Sequence, residues 1–335
     1  MSKRSSFGSF FTSLLLIAVV TGVAATVFLQ RQTIVDQVQV WQYEPSPEIA
    51  ALADRTTMND HGRHLYYVAH PSLENADVFN THCERREGDS PILGCYRDGK
   101  IYIFNVQDER LEGIEEVTAA HEMLHVAFER LNEDEQTRIG ALLETEYKKH
   151  ANDDLTARMQ YYERTQPGQR INELHSIIGT EKAEISSELE EYYANYFDDR
   201  SAIIALFNGY NGRFVTIREE AAALRTELEG LEASIDQQTE AYNRALQVLN
   251  RDIETFNSRA EAGDFTSQGQ FDTERSALIA RSQTIENQRA GIEQSIDVYN
   301  EKQRYHNSLV DESNSLRDSL DSNLAPAPQL QGMPG

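Results

Sequence analysis

Basic residues and cysteines are scarce in this sequence. Its 335 residues include 31 Lys and Arg against 55 Asp and Glu, which gives a net charge of -24 at pH 7, and only two cysteines. The excess of carboxylates leaves no basic patch for phosphate contacts, so no nucleic-acid partner is expected. Because Cys83 and Cys95 form no CxxC pair, they are poor zinc ligands. The hydrophobic content of 39% is modest and predicts one compact core plus a polar, elongated part.

One long uncharged, apolar segment lies near the N-terminus. Residues 9–30, SFFTSLLLIAVVTGVAATVFLQ, would reach about 30 Å as a helix, which is the thickness of one bilayer core. They predict a transmembrane helix. Lys3 and Arg4 precede it, so the positive-inside rule predicts a single-pass cell-membrane protein whose chain after Arg31 lies outside the cytoplasm. A signal peptide cleaved near Ala25 is the alternative to this uncleaved signal anchor.

Export changes how the two cysteines are interpreted. Cys83 and Cys95 stand twelve positions apart, and outside the cytoplasm such a pair is expected to form a disulfide. Closing a loop of that size contributes about 3 kcal/mol to stability if the geometry is unstrained.

Two of the nine histidines stand four residues apart around a glutamate, in the segment TAAHEMLHVAFERL. Residues four apart on an α-helix share one face, so His121 and His125 can reach a single Zn²⁺ ion. Glu122 would then take a proton from a water molecule bound to that ion. Apolar residues recur at helical spacing around this HExxH motif, namely Val117, Ala120, Leu124 and Phe128. The alternative is a pair of ordinary histidines on a solvated helix.

Short strands are predicted between the N-terminal segment and the motif. The segments HLYYVAH, PILGCY and KIYIFNV are rich in β-branched and aromatic residues, and residues 97–100 form a plausible turn between the last two. A strand just before an HExxH helix is where zinc peptidases usually pair with the substrate backbone. The alternative is that the strand at 101–106 belongs to the core.

A zinc site needs a third protein ligand. The metzincin pattern HExxHxxGxxH fails, because Phe128 and Leu131 occupy the glycine and third-histidine positions. Glu144 stands at about the distance used by thermolysin-like enzymes but lacks their sequence context. Two later segments remain, INELHSIIGTE with Glu173 and SELEEYYANYFDDR with Glu191.

The segment VTAAHEMLHVAFERL, followed at a distance by these glutamate-bearing helices, resembles the gluzincin metallopeptidases of the lethal-factor type. The resemblance covers residues 65–200 and implies a small mixed sheet backed by the zinc helix, with a second helix that supplies a glutamate. It makes His121 and His125 zinc ligands and Glu122 the general base.

The third ligand stays open between two residues. The string from Glu191 to Phe197 looks like the segment that carries this ligand in lethal-factor-type enzymes, whereas the separation along the chain favours Glu173, which we predict. His175 is predicted as a hydrogen-bond donor to the developing oxyanion, in competition with three tyrosines, Tyr192, Tyr193 and Tyr196.

Beyond Phe214 the apolar residues follow a coiled-coil spacing that is interrupted at 260–270. They predict two antiparallel helices of about 40 residues each. The predicted fold class is α+β, a small mixed sheet with the HExxH helix followed by this helical hairpin. The predicted regions are a cytoplasmic tail at 1–8, a transmembrane anchor at 9–30, a linker at 31–60, a zinc metallopeptidase domain at 61–212, a coiled-coil hairpin at 213–318 and a disordered tail at 319–335.

The sequence as a whole predicts a membrane-anchored zinc metallopeptidase that cleaves protein or peptide substrates. The alternative is a non-catalytic envelope scaffold whose coiled coil binds a protein partner.

Overall fold

The computed structural model describes residues 15, 16, 21, 30–83 and 92–323. It is 78% helical and, among these residues, contains one small three-stranded sheet. The predicted α+β class is therefore wrong, and the protein is mainly helical. One reason lies at residues 64–70, which were predicted as a strand. They fall largely in a helix, because Asn59 caps its first turn and the buried Leu65, Tyr66 and Val68 fit a helical face.

Three helices open the described chain: α1 (Arg31–Gln42), α2 (Pro47–Arg55) and α3 (Asp60–Val68). The Ser46 side chain accepts a hydrogen bond from the backbone N–H of Ile49, and Pro47 occupies the first turn of α2, which suits both residues to a helix N-terminus. Residues 31–60, predicted as a linker, thus carry two helices.

The sheet consists of β1 (Ser72–Glu74), β2 (Gly94–Arg97) and β3 (Lys100–Phe104), with helix α4 (Ala76–His82) between β1 and β2. The strand order is β1-β3-β2, so β2 is an edge strand. β1 is parallel to β3, and β2 is antiparallel to it. The predicted hairpin is confirmed, since Asp98 and Gly99, with φ of 53° and 75°, form the two-residue turn that joins Arg97 to Lys100.

Five further helices belong to the first compact unit. They are α5 (Ile114–Glu129), α6 (Glu133–His150), α7 (Asp153–Thr165), α8 (Arg170–Glu181) and α9 (Ser187–Tyr193). Helix α5 contains the HExxH motif, lies in the core and packs against α8. Gly179 of α8 permits this approach, because a Cβ atom there would lie 2.6 Å from a methyl carbon of Leu124.

Two long helices follow, α10 (Arg200–Ala262) and α11 (Gln268–Leu320). The chain divides into one compact unit of residues 1–211 and 316–335 and a second of residues 212–315. Within the second unit the helices run antiparallel, as predicted: Arg213 pairs with Glu312 at one end and Arg259 with Glu274 at the other. Its buried residues are aliphatic and line one seam: Ile217, Leu224, Leu249, Ile285, Ile292 and Leu309.

The membrane anchor predicted over 9–30 is not supported by the structure. Most of that segment, and the predicted cytoplasmic tail at 1–8, lies outside the described residues. Within the described part of the chain, no helix is long and apolar enough to cross a bilayer. This finding contradicts the predicted single-pass membrane anchor and the localisation that depended on it. Of the tail predicted as disordered, residues 324–335 lie outside the described residues, whereas Leu320 and Ser322 are buried in the first unit.

Candidate metal centre

Helix α5 brings the three motif residues together as their spacing requires. Ligand atoms of His121, Glu122 and His125 all lie within 4.8 Å of one another, a group that could hold a metal ion. The two imidazole rings meet edge to face with centroids 4.9 Å apart. Gly113, with φ of 97°, is the N-cap residue of the helix, and no glycine or proline interrupts Ile114–Glu129.

Helix α8 adds a carboxylate opposite the two imidazoles. Oε2 of Glu173 lies 3.8 Å from Nε2 of His121 and 3.9 Å from Nε2 of His125, and the Glu173 side chain is only 6% exposed. That oxygen is buried and has no hydrogen-bond partner. Tetrahedral zinc bonds of about 2.0 to 2.1 Å would place ligand atoms about 3.3 Å apart, roughly half an ångström closer than they lie here. Two imidazole nitrogens and an unsatisfied carboxylate oxygen therefore fit one metal ion.

The orientation of His125 is fixed by groups behind it. Its Nδ1 donates to Oδ1 of Asn172 at 3.0 Å, and the Ser176 hydroxyl lies 3.4 Å away. Asn172 in turn donates to Oε1 of Gln169. Because the proton sits on Nδ1, Nε2 keeps its lone pair for the metal position, the arrangement usual for metal-bound imidazoles.

Glu122 is buried on the same face of α5. Burial is the main cause that raises its pKa, to about 7, and Glu173 raises it further, whereas His125 and the backbone N–H of Tyr96 oppose the rise. Strand β2 touches this carboxylate, since a Cβ atom at Gly94 would lie 2.8 Å from Oε1 of Glu122. A carboxyl group that titrates near neutral pH suits a general base.

Glu173 titrates in the opposite direction. Burial acts to raise its pKa, but His125, His121 and Arg158 together hold the pKa below its ordinary value. The site therefore contains one carboxylate that stays ionised and one poised near neutrality, a division of roles that acid–base sites commonly show.

The other predicted site residues lie elsewhere. Glu191 is exposed on α9. His175 is fully buried, its Nε2 is hydrogen-bonded to the Tyr192 hydroxyl, and burial lowers its pKa to about 3. The Tyr193 hydroxyl donates to the His175 carbonyl. His175 and these tyrosines thus join α8 to α9 within the core rather than facing a substrate.

Two groups near the site were missed from the sequence. Tyr162 of α7 is half-buried, and burial, followed by the charge of Glu173, raises its pKa far above the ordinary value. Asn172 was missed although it stands beside Glu173. The pattern of a polar residue next to a candidate ligand could have indicated Asn172, whereas nothing in MQYYERT distinguishes Tyr162 from a packing residue.

The predicted disulfide is confirmed. Cys83 and Cys95 are bonded, with Cα atoms 5.9 Å apart. Cys95 lies in β2 between the two residues that contact Glu122, so the bond ties the edge strand to the end of α4.

Comparison with known proteins gives no match to this chain among family models, curated proteins or solved structures. The assignment of function therefore depends on the geometry of the site.

Proposed function

We propose that this protein is a zinc-dependent peptidase in which His121, His125 and Glu173 hold the metal and Glu122 is the general base. The observation that carries the proposal is the buried Oε2 of Glu173, which faces both imidazole Nε2 atoms and has no hydrogen-bond partner. A buried acceptor without a partner destabilises the folded state by about 1–3 kcal/mol or more. A cation bound at this point would remove that cost.

Bound zinc supplies Lewis acidity, which lowers the pKa of water and polarises a carbonyl group. The protein supplies the proton acceptor, because the Glu122 carboxyl lies beside the ligand atoms and has a pKa of about 7. Asn172 holds the tautomer of His125 that leaves Nε2 free to bind. Burial of Glu122 and Glu173 keeps bulk water from screening these charges.

Strand β2 offers a place for a peptide substrate. Leu93 and Phe104 are joined by a backbone hydrogen bond, so in this antiparallel register Cys95 and Arg97 also face β3. The backbone groups of Gly94 and Tyr96 therefore point to the free edge. An extended peptide can pair with such an edge while it lies beside Glu122.

The test is to measure metal content and hydrolysis on the same preparation of full-length protein. We expect about one zinc per chain and cleavage of unfolded polypeptides. Glu122→Gln should keep the zinc and the fold but lose hydrolysis by several orders of magnitude, because it removes only the proton acceptor. Glu191→Gln, an exposed carboxylate on α9, is the matched control and should behave like the parent.

Protein that binds no zinc, or an active Glu122→Gln variant, would overturn the proposal. Zinc binding without cleavage of any polypeptide would leave a metal-stabilised scaffold, whose binding surface would then be sought on the helical hairpin.

A further inference from the structure

Strand β2 lies against the HExxH helix at a residue that has no side chain. A Cβ atom at Gly94 would lie 2.6 Å from Cγ2 of Thr118, 2.8 Å from Oε1 of Glu122 and 3.0 Å from Cγ of Glu122. Non-bonded carbon atoms pack best at about 3.5–4.0 Å. Any other residue at position 94 would therefore force one of these groups to move, and glycine is what allows the strand to lie so close to α5.

Three kinds of contact hold β2 in its position. Gly94 itself pairs with β3 in the antiparallel ladder. The next residue, Cys95, is bonded to Cys83 at the end of α4. Nη1 of Arg97 donates to the carbonyl oxygen of His82 at 3.1 Å. Because a ladder, a covalent bond and a hydrogen bond all oppose displacement of the strand, a side chain added at position 94 would be accommodated mainly on the α5 side.

Thr118 and Glu122 of α5 differ in how freely they can move. They stand one helical turn apart, and both side chains face β2. The Thr118 hydroxyl donates to the carbonyl oxygen of Ile114 at 2.8 Å, which fixes the rotamer and with it the position of Cγ2. The Glu122 carboxylate lies at the end of a longer side chain with more rotatable bonds, so it can turn at lower cost. Of the two groups, the carboxylate is therefore the one that an added methyl group would displace.

We propose that Gly94 is a positioning residue, whose missing side chain leaves the space that the Glu122 carboxylate needs to lie beside His121 and His125. Ligand atoms of those three residues lie within 4.8 Å of one another. A methyl group at position 94 would turn the carboxylate out of this group while β2 and the two imidazoles stay in place. The effect on hydrolysis rests on the proposed peptidase function, whereas the contact between Gly94 and Glu122 does not.

Gly94→Ala in the full-length protein adds that methyl group. We expect kcat for a peptide to fall about 100-fold, which is the lower end of what a general base contributes. Zinc content and KM should change little, because neither the metal ligands nor the free edge of β2 is altered. Gly140→Ala is the matched control, since a Cβ atom there would lie 3.2 Å from a side-chain carbon of Ile171 and its nearest neighbours all belong to that residue. It should leave kcat unchanged.

A second substitution on α5 should restore part of the lost activity. Thr118→Ser removes Cγ2, the atom closest to the added methyl group, and keeps the hydroxyl that donates to Ile114. Alone it should leave kcat unchanged. Combined with Gly94→Ala it should raise kcat about tenfold above that of Gly94→Ala, because the methyl group can then move toward position 118 instead of against Glu122. Absence of any recovery would overturn the proposal.

Melting temperatures test the contact without hydrolysis. Glu122→Ala removes both Glu122 atoms that the methyl group would meet, so Gly94→Ala should lower the melting temperature less in that background than in the parent. Equal decreases in the two backgrounds, or a parent-like kcat of Gly94→Ala, would overturn the proposal. If Gly94→Ala does not fold, the Gly94→Ala, Glu122→Ala double variant should fold, and its failure to do so also overturns the proposal. Should the parent hydrolyse no peptide, the melting temperatures still decide whether the two residues touch, so failure of the peptidase function is distinguishable.

Discussion

Helices α5 and α8 of the first unit and helices α10 and α11 of the second both form close pairs, but they bury different groups. The α5–α8 pair buries Glu122, His125, Asn172 and Glu173 beside its aliphatic residues. The hairpin, residues 212–315, buries only aliphatic side chains and keeps its ion pairs partly or largely exposed. A narrow apolar seam is therefore enough to pair two helices in water. Burying the charged groups between α5 and α8 costs stability unless each of them is paired with an opposite charge or a bound ion.

The largest effect is expected from removing the buried carboxylate that faces both imidazoles. Glu173→Ala should weaken zinc affinity by far more than the roughly 10- to 100-fold that follows loss of a group behind the ligands. Glu191→Ala, which removes an exposed carboxylate, should retain zinc during dialysis against a mild chelator. Competition titration with a coloured chelator measures both, and equal affinities in the two variants would disprove the ligand assignment.

Glu122 provides a second test, in the metal-free protein. Burial raises its pKa from 4.5 to about 7. Between those two pH values the folded state keeps a proton that the unfolded state releases, so stability falls as pH rises through this window, and the full cost is present above pH 7. Glu122→Gln removes that cost and should stabilise the metal-free protein by on the order of 3 kcal/mol at pH 8, with little change at pH 4. Urea unfolding at the two pH values measures this, and a difference independent of pH would contradict it.

Asn172 lies behind His125 and should have a smaller effect on zinc affinity. Asn172→Ala removes the acceptor that orients His125, so zinc affinity should fall by about 10- to 100-fold while the metal still binds. The same chelator titration measures this decrease. Asn195→Ala, at an exposed asparagine of the first unit, is the control and should leave the affinity unchanged. A complete loss of zinc binding in Asn172→Ala would mean that Asn172 is itself a ligand.

The smallest effect is expected on the hairpin. The side chains of Arg281 and Asp252 are 44% and 47% exposed, so their ion pair lies in solvent. Arg281→Ala should change the free energy of unfolding by less than about 0.5 kcal/mol and should leave zinc affinity unaltered. Thermal unfolding in low and high salt measures the change, and a loss of several kcal/mol would show that charges matter to the hairpin as they do to the α5–α8 pair.

The local parts of the site were predictable from the sequence, because helical periodicity alone places His121 and His125 on one face. The separation along the chain also pointed to Glu173 rather than Glu191. Residues 64–70 were misjudged, since a short apolar run fits both a buried helix and a strand. Strand β1, at 72–74, is too short to leave a pattern.

Long-range contacts left no signal in a single sequence. Asp36 and Arg130 are 94 positions apart, and nothing in RQTIVDQVQVWQ indicates that its one carboxylate is buried against a guanidinium. Tyr162 likewise comes under the influence of Glu173 only through the packing of α7 on α8. Such residues acquire their chemistry from the fold and can be recognised only once it is known.

The return of α11 to the first unit bears on how residues could be added to or removed from the hairpin. The chain leaves the first unit at Asn211 and returns at Leu316, where Leu316 is buried and Ser322 is hydrogen-bonded to Asn80. Both ends of the hairpin are thus fixed by one folded body, which makes the hairpin an insertion. Removing seven residues from α10 and the opposing seven from α11 keeps the seam in register and shortens the arm by about 10 Å. Paired deletions of seven residues would therefore change the length of the hairpin without removing any residue of the candidate metal centre.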